Sequence, residues 1–355
     1  MNIENEKDIK IKIGRKEIGT GAPCYIISEI GNNHGANLET AKKMIKASFA
    51  TGADAVKFQT FKALDIVNPN VPANAYSGWN VSDKFDYWYQ FVETLEMPYE
   101  WYDELIGYTR SLGLAFISTP ASMEAALFLA EKKVDAIKIA SMDLNNLPFL
   151  REIDKLGLPV ILSTGMSRLE EIEEAVQSFK KAPLALLHCV SNYPLKPEEA
   201  NLLNIKMLRD HFSRPVGFSN HALGYDLDLV AIGLGACIIE KHFTLDRNDP
   251  KPAEHHFSML PEEMKEMVLK IRVIEKALGS RNREVSGKEL KNRELIRRSI
   301  TVLEDIKKGD IIKSESLGFI RPGTGIEPKN INKIIGKKAR RAMNAYDLVK
   351  WEDLE

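Results

Sequence analysis

The chain has 355 residues, 44% hydrophobic and 28% charged, and its 49 Lys and Arg against 50 Asp and Glu give a formal charge of −1. That balance suits an ordinary soluble protein and supplies neither a basic field for nucleic acid nor an acidic tail, while the length suits about two domains, or one α/β barrel of about 250 residues with an appendage. There is no secretory start and no apolar run of about 18 residues, and the three scattered cysteines, Cys24, Cys189 and Cys237, lack zinc or disulfide spacing, so a cytoplasmic protein without a membrane span is expected.

From the N-terminus, the first 24 residues carry Ile11 and Ile13 before a turn at Gly14 and suit a hairpin plugging the bottom of a barrel. Eight short apolar, β-branched runs then occupy 25–30, 55–60, 115–119, 136–141, 159–165, 185–190, 215–221 and 237–244. Amphipathic stretches at 38–51, 99–112 and 168–180 read as helices between them; the last carries Ile172, Val176 and Phe179 at helical spacing, with Ser167 and Glu170 placed as a capping box. Strands apolar on both faces and alternating with helices predict an α/β fold, a (β/α)8 TIM barrel. A doubly wound open sheet is the competing fold, weakened because no strand runs into a Gly-x-Gly-x-x-Gly turn.

The second and third runs are separated by an insertion at 62–98 rich in aromatics: Trp79, Phe85, Tyr87, Trp88, Tyr89 and Phe91. Packing the insertion down is the first reading of these rings, and substrate contact the second. The barrel domain is expected over 1–280. A polar stretch at 281–294 reads as a linker or exposed helix, and 295–355 as a small domain with a strand at 299–303, a turn at 307–310 and the segment Arg321-Pro322-Gly323-Thr324-Gly325.

Chemistry in such a barrel sits at the C-terminal ends of the strands. Those ends carry Glu29, Asn32, Asn33 and His34; Lys57 and Gln59; Ser118 and Thr119; Lys138 and Ser141; Ser163 and Thr164; His188, Ser191 and Tyr193; Ser219 and His221; and Glu240 and His242. Period-two alternation puts Lys57 with Gln59, Ser219 with His221, and Glu240 with His242. Lysines within apolar strands need an anion. Glu29 or Glu240 could serve as a structural partner, but two lysines among Ser and Thr hydroxyls fit a phosphate or carboxylate ligand better, and a Schiff-base lysine is a further use. His221 and His242 on neighbouring strands, with Glu254 beyond the last, offer a two-histidine, one-carboxylate set for a divalent metal; His255 and His256 point apart and are favoured less.

At these residues the sequence resembles the sialic acid synthase family, phosphoenolpyruvate-condensing enzymes that make N-acetylneuraminate, legionaminate and pseudaminate. The likeness runs from Ser28-Glu29-Ile30-Gly31-Asn32-Asn33-His34-Gly35 through Val56-Lys57-Phe58-Gln59-Thr60, Ile117-Ser118-Thr119-Pro120, Ile137-Lys138-Ile139-Ala140-Ser141 and Leu162-Ser163-Thr164-Gly165-Met166. It continues through Leu187-His188-Cys189, Tyr193-Pro194, Gly217-Phe218-Ser219-Asn220-His221 and Ile239-Glu240-Lys241-His242-Phe243-Thr244, and the tail is similar to the family's antifreeze-like (SAF, β-clip) domain.

The resemblance implies a transferase acting on phosphoenolpyruvate and an open-chain 2-acetamido hexose to give a nine-carbon 2-keto acid. By it, Lys57, Thr119, Lys138, Ser141, Ser163 and Ser219 would bind phosphoenolpyruvate, and Gln59, Tyr193 and Arg321 the sugar. Glu29, Asp143 and Glu254 would move protons, and His221 and His242 would hold a divalent metal, Mn2+ first and Mg2+ or Co2+ next. Arg321 would act from the other subunit of a domain-swapped homodimer. Three positions depart from common family usage: Asn220 stands where Asp often does, Asp143 for Glu and Glu254 for Asp. Asn220 cannot take a proton as a carboxylate does and is expected behind the site. A Schiff-base aldolase or lyase on the same barrel and a non-catalytic carbohydrate-binding protein are the rival functions.

Overall fold

The structure, a computed structural model, describes residues 9–75, 84–249, 254–280 and 282–355, so Trp79 of the aromatic insertion lies outside the described residues. The chain forms two compact units, Met1–Gly279 and Ser280–Glu355.

The first unit opens with a hairpin of β1 (Lys10–Ile13) and β2 (Lys16–Gly19), turning at Gly14 with φ +57. There follow β3 (Tyr25–Gly31), α1 (Leu38–Thr51), β4 (Ala55–Thr60), α2 (Ala63–Ile66), α3 (Trp88–Glu93), α4 (Tyr102–Ser111), β5 (Ala115–Pro120) and α5 (Met123–Glu131). The run continues with β6 (Ala136–Ile139), α6 (Leu147–Leu156), β7 (Val160–Ser163), α7 (Leu169–Gln177), β8 (Leu184–Cys189), α8 (Leu203–Phe212), β9 (Val216–Asn220), α9 (Asp226–Gly233), β10 (Ile238–His242) and α10 (Pro261–Leu278). Strands β3 to β10 pair in parallel in sequence order, and β10 closes on β3. The expected eight-stranded barrel is therefore the fold, and the open sheet is excluded.

Alternation along each strand explains why the barrel has two cores. Outward residues such as Ile26, Val56, Phe116, Ile137, Leu162, Leu186, Phe218 and Ile239 pack against the helices. Inward residues of the lower strand halves include four alanines, Ala55, Ala115, Ala136 and Ala185, and these small side chains leave room for Ile11, Ile13 and Ile18 of the hairpin. The hairpin therefore stoppers the lower end. Each isoleucine so buried contributes roughly 1.5–3 kcal/mol of transfer free energy.

Two local expectations shift. Helix α7 starts one residue later than the Ser167 cap implies: the Arg168 N–H donates to Glu171 Oε2 at 2.7 Å, while Ser167 Oγ turns back to the Gly165 carbonyl at 3.1 Å. Phe61 and, from the insertion, Ala63, Val67, Trp88, Phe91, Val92 and Leu95 form a satellite core, with Trp88 edge-on to Phe91 at 5.1 Å and Phe85 and Tyr89 partly buried against it, so these four rings pack the insertion down while Tyr87 stays exposed.

In the second unit, residues 287–294 of the stretch expected as a linker or exposed helix lie in α11 (Gly287–Ile296), every residue of which is exposed. Ser286 caps it, accepting from the Glu289 N–H at 3.2 Å, and its Lys, Glu and Leu content favours helix without an apolar stripe. Strands β11 (Ser299–Val302) and β12 (Leu317–Ile320) pair antiparallel over a small core of Ile300, Val302, Ile312, Leu317, Ile334, Met343 and Val349. Among the described residues no helix is long and apolar enough to cross a membrane.

Candidate active site

Above the apolar layer, the same alternation that points Ile27, Ala55, Ile117, Ala136, Ile161, Leu187 and Ile238 inward points Glu29, Lys57, Gln59, Thr119, Lys138, Ser163, Cys189, Glu240 and His242 into the upper barrel. Ser219 joins them from β9, and Ser141, Tyr193 and His221 come just beyond strand ends.

Lys57 lies between two buried carboxylates, 2.8 Å from Glu29 Oε1 and 3.8 Å from Glu240 Oε2. Burial works against its ammonium, but Glu240 and Glu29 outweigh it and hold the pKa above the usual lysine range. Glu240 also accepts from Ser219 Oγ at 3.0 Å; burial would raise its pKa, yet Lys57 and Lys138 hold it low. Glu29 goes the other way, raised chiefly by burial against the pull of Lys57, so of the two carboxylates Glu29 is the easier to protonate. Lys138 donates to Ser163 Oγ at 2.6 Å and to the Ile139 carbonyl at 2.9 Å, and burial lowers its pKa in spite of Glu240.

Two glycines shape the walls. Gly31, at φ +52, has no Cβ to strike Glu254 Oε2, which would lie 2.9 Å away, Glu29 Oε1 at 3.3 Å or Gln59 Nε2 at 3.4 Å; the three side chains thus converge over its backbone. Gly165 donates its N–H to Ser141 Oγ at 3.0 Å, and a Cβ there would lie 2.6 Å from Ser191 Oγ and 2.7 Å from Ser141 Oγ. That corner is a hydroxyl-rich pocket wall. A cavity of about 540 Å³ opens beside it, lined among others by Arg168, Ser191, Asn192, Asn201 and Asn204.

Next along the wall the His221 and His242 rings are 5.3 Å apart, with the Tyr193 ring 4.2 Å from His221. His221 Nδ1 faces the Val190 carbonyl at 3.0 Å, and burial, then His242, pushes its pKa down to about 3. It is a neutral imidazole with Nε2 turned to the pocket. For His242, burial disfavours the cation, but Glu254, whose Oε2 is 3.0 Å from Nδ1, outweighs it and raises the pKa. Glu254 is lowered by that same pairing against its burial. Among the described residues no three His, Cys, Asp or Glu side chains converge as a ligand set, and Glu254 stands against His242 Nδ1. Glu29 Oε2 and Glu240 Oε2, both buried, have no hydrogen-bond partner among the described residues, although Lys57 Nζ lies 3.8 Å from the latter, so acceptors remain in the pocket.

Asp143 stands in the turn after Ser141, and burial pushes its pKa up to about 6 against the pull of Lys138. A carboxyl raised on folding from 3.8 contributes stability that is present below about 4 and lost as pH rises through about 6. His221, pushed down to about 3, acts in the opposite sense over the same window. The clean expectation is therefore a difference: Asp143→Asn gains stability relative to the wild type as pH rises from 4 to 6. Urea unfolding at a series of pH values checks it, and a constant difference would contradict it.

Some strand-end candidates do not enter the pocket. Ser118 faces outward, bonding Thr60 Oγ1 at 2.6 Å and the Phe58 carbonyl, and His188 stacks on Phe218 at 5.6 Å and bonds the Ala200 carbonyl. Asn220 also faces outward. Arg321 comes directly after β12 in the second unit, exposed. The sequence reading understated Glu240 and missed Cys189; both emerge on counting by two from Ile238 and Leu187, a signal that was available.

Residues 44–283 match the NeuB family and residues 297–355 the SAF domain. The N,N'-diacetyllegionaminic acid synthase of Legionella pneumophila is 41% identical over 349 residues, 96% of this chain and 98% of that protein. Pseudaminic acid synthase of Campylobacter jejuni is 35% identical over 339 residues, 95% of this chain and 98% of its own length. The crystal structure of N-acetylneuraminic acid synthetase from Leptospira borgpetersenii, in complex with citrate, matches with a TM-score of 0.71 at 33% identity, covering 80% of this chain and 94% of that one.

Proposed function

Because the chain belongs to the NeuB family and is a nonulosonic acid synthase of the transferase type, we propose that it condenses phosphoenolpyruvate with the aldehyde of an open-chain 2-acetamido hexose. The observation that carries the proposal is the pair of buried lysines among hydroxyls at the strand ends. Lys57, Thr119, Lys138, Ser141, Ser163 and Ser219 would take the phosphate and carboxylate, because charge-assisted bonds in a water-poor site are worth most there. Gln59 and Tyr193 face the space left for the sugar.

The C3 methylene bonds to the aldehyde carbon, water adds at C2, and the C2–O bond to phosphate breaks, leaving a nine-carbon 2-keto acid. The aldehyde oxygen takes up one proton, and the water, whose oxygen becomes the C2 carbonyl, gives up two, one as it adds and the other to the departing phosphate. Glu29, raised by burial, would pass a proton to the aldehyde oxygen, and Asp143, poised at about 6 beside Lys138, would take one from the adding water. Glu254, ionised against His242, orients that ring. A divalent cation, Mn2+ first, belongs to the same proposal: His221 and His242 would hold it, and bound there it would supply Lewis-acid polarisation of the sugar aldehyde. A homodimer, checked by sedimentation, and a sugar contact from Arg321 complete it.

One observation favours a second reading. Lys138 is easier to deprotonate than an ordinary lysine, the condition for a Schiff base. Offering N-acetylmannosamine and the 6-deoxy diacetamido hexoses with phosphoenolpyruvate and Mn2+ separates the two. The Legionella relative, an N,N'-diacetyllegionaminic acid synthase, makes a diacetamido hexose the first sugar to try. One phosphate released per nine-carbon acid is expected; borohydride trapping of Lys138 with pyruvate and no phosphate release would put an aldolase in its place.

A further inference from the structure

On the outer faces of β9 and β10, behind the two histidines, lies a polar cluster with no part in the chemistry above. Asn220 and Lys241 are register partners, each about 1% exposed, and they alternate with the inward Ser219, His221, Glu240 and His242. Asp228 of α9, fully buried, closes over both: Asn220 Nδ2 donates to Asp228 Oδ2 at 2.9 Å, and Lys241 Nζ is 3.9 Å from the same oxygen. The same two side chains grip the main chain just past His221. The Ala222 N–H donates to Asn220 Oδ1 at 2.8 Å, and Lys241 donates to the Ala222 carbonyl. The His221 carbonyl accepts from the Leu195 N–H at 3.0 Å, and the Val190 carbonyl engages Nδ1.

Burying an ammonium, a carboxylate and an amide in this wall is costly, and apolar side chains of similar volume would fill it without that cost. What the polar set adds is direction. An amide at 220 can donate to Asp228 and accept from Ala222 at once, whereas an aspartate there would set two carboxylates against each other. We propose that Asn220, Asp228 and Lys241 are positioning residues that lock the strand end bearing His221 to the strand bearing His242, and so set the geometry of the cation site; this rests on reading those histidines as cation ligands.

The test uses the full chain. Mn2+ affinity is measured by paramagnetic resonance, phosphoenolpyruvate affinity by calorimetry without metal, folding by thermal unfolding, and the His221 tautomer by imidazole 15N resonance without metal. Asn220→Asp is expected to weaken Mn2+ binding by about 10- to 100-fold, as losses behind a ligand commonly do, with phosphoenolpyruvate affinity unchanged. The double variant Asn220→Asp/Asp228→Asn, which restores one acid, one amide and one lysine, should recover most of it. Should Asn220→Asp fail to fold, Asp228→Asn, which keeps the side-chain shape, carries the same expectation.

A folded variant binding Mn2+ within twofold of the wild type, a double variant no better than the single, or Mn2+ and phosphoenolpyruvate affinities falling together would overturn the proposal. If the wild type binds no Mn2+, the cation reading fails and the ring decides the positioning. A single Nδ1–H tautomer in the wild type and the double variant, mixed in Asn220→Asp, supports it; an unchanged tautomer overturns it.

Discussion

Replacing Lys57 with methionine is expected to lower kcat/KM by at least about 10³, roughly 4 kcal/mol of lost transition-state stabilisation, and to abolish measurable phosphoenolpyruvate binding. The lysine sits 2.8 Å from Glu29 and 3.8 Å from Glu240, so its loss also leaves two buried carboxylates with one fewer cation. Removing one partner of a buried pair costs about 3–5 kcal/mol, which corresponds to a Tm lower by roughly 10 °C in a domain of this size. That structural effect must be separated from the chemical one. Lys57→Met/Glu29→Gln restores the charge balance while still lacking the ammonium; it should regain thermal stability but neither calorimetric binding nor turnover. If it regains phosphoenolpyruvate binding, Lys57 serves only to neutralise Glu29.

His221→Ala is expected to remove turnover to a similar extent with phosphoenolpyruvate affinity left intact, because Lys57 and Lys138 stand on β4 and β6 while His221 lies just past β9. With a pKa near 3, His221 is neutral at any working pH, which suits a cation ligand and rules it out as the acid that protonates the new alkoxide. Chelation and then addition of Mn2+ should abolish and restore turnover in the wild type and have no effect on the variant. Full turnover in thoroughly chelated wild-type enzyme would remove the cation from the proposal.

The barrel was legible because its strands are apolar on both faces: each of the eight β-branched runs overlaps a strand, and 55–60 matches β4 end for end. Less legible was what replaces hydrophobic periodicity. Helix α11 has no apolar stripe, so composition left 281–294 open between a linker and an exposed helix, and the signal that decides it is a cap, Ser286 three residues before Glu289. Ser167 misled because its hydroxyl has a nearer acceptor in Gly165. In the site, alternation located Lys57, Gln59, Glu240 and His242 but was not carried through to expel Ser118 and His188. The partnership of Asn220 with Asp228 could not be read, since a helix residue eight positions on reaches back only when α9 packs over β9 and β10.

The hairpin under the barrel bears on traffic as well as stability. With Ile11, Ile13 and Ile18 filling the lower lumen, the upper pocket is closed from below. On the proposed function, a small donor seated against Lys57 and Lys138 would lie beneath a larger acceptor, so an acceptor that entered first would bar the way. Such a floor would impose an order of arrival, and would oblige the long product to leave before the next small molecule could reach it.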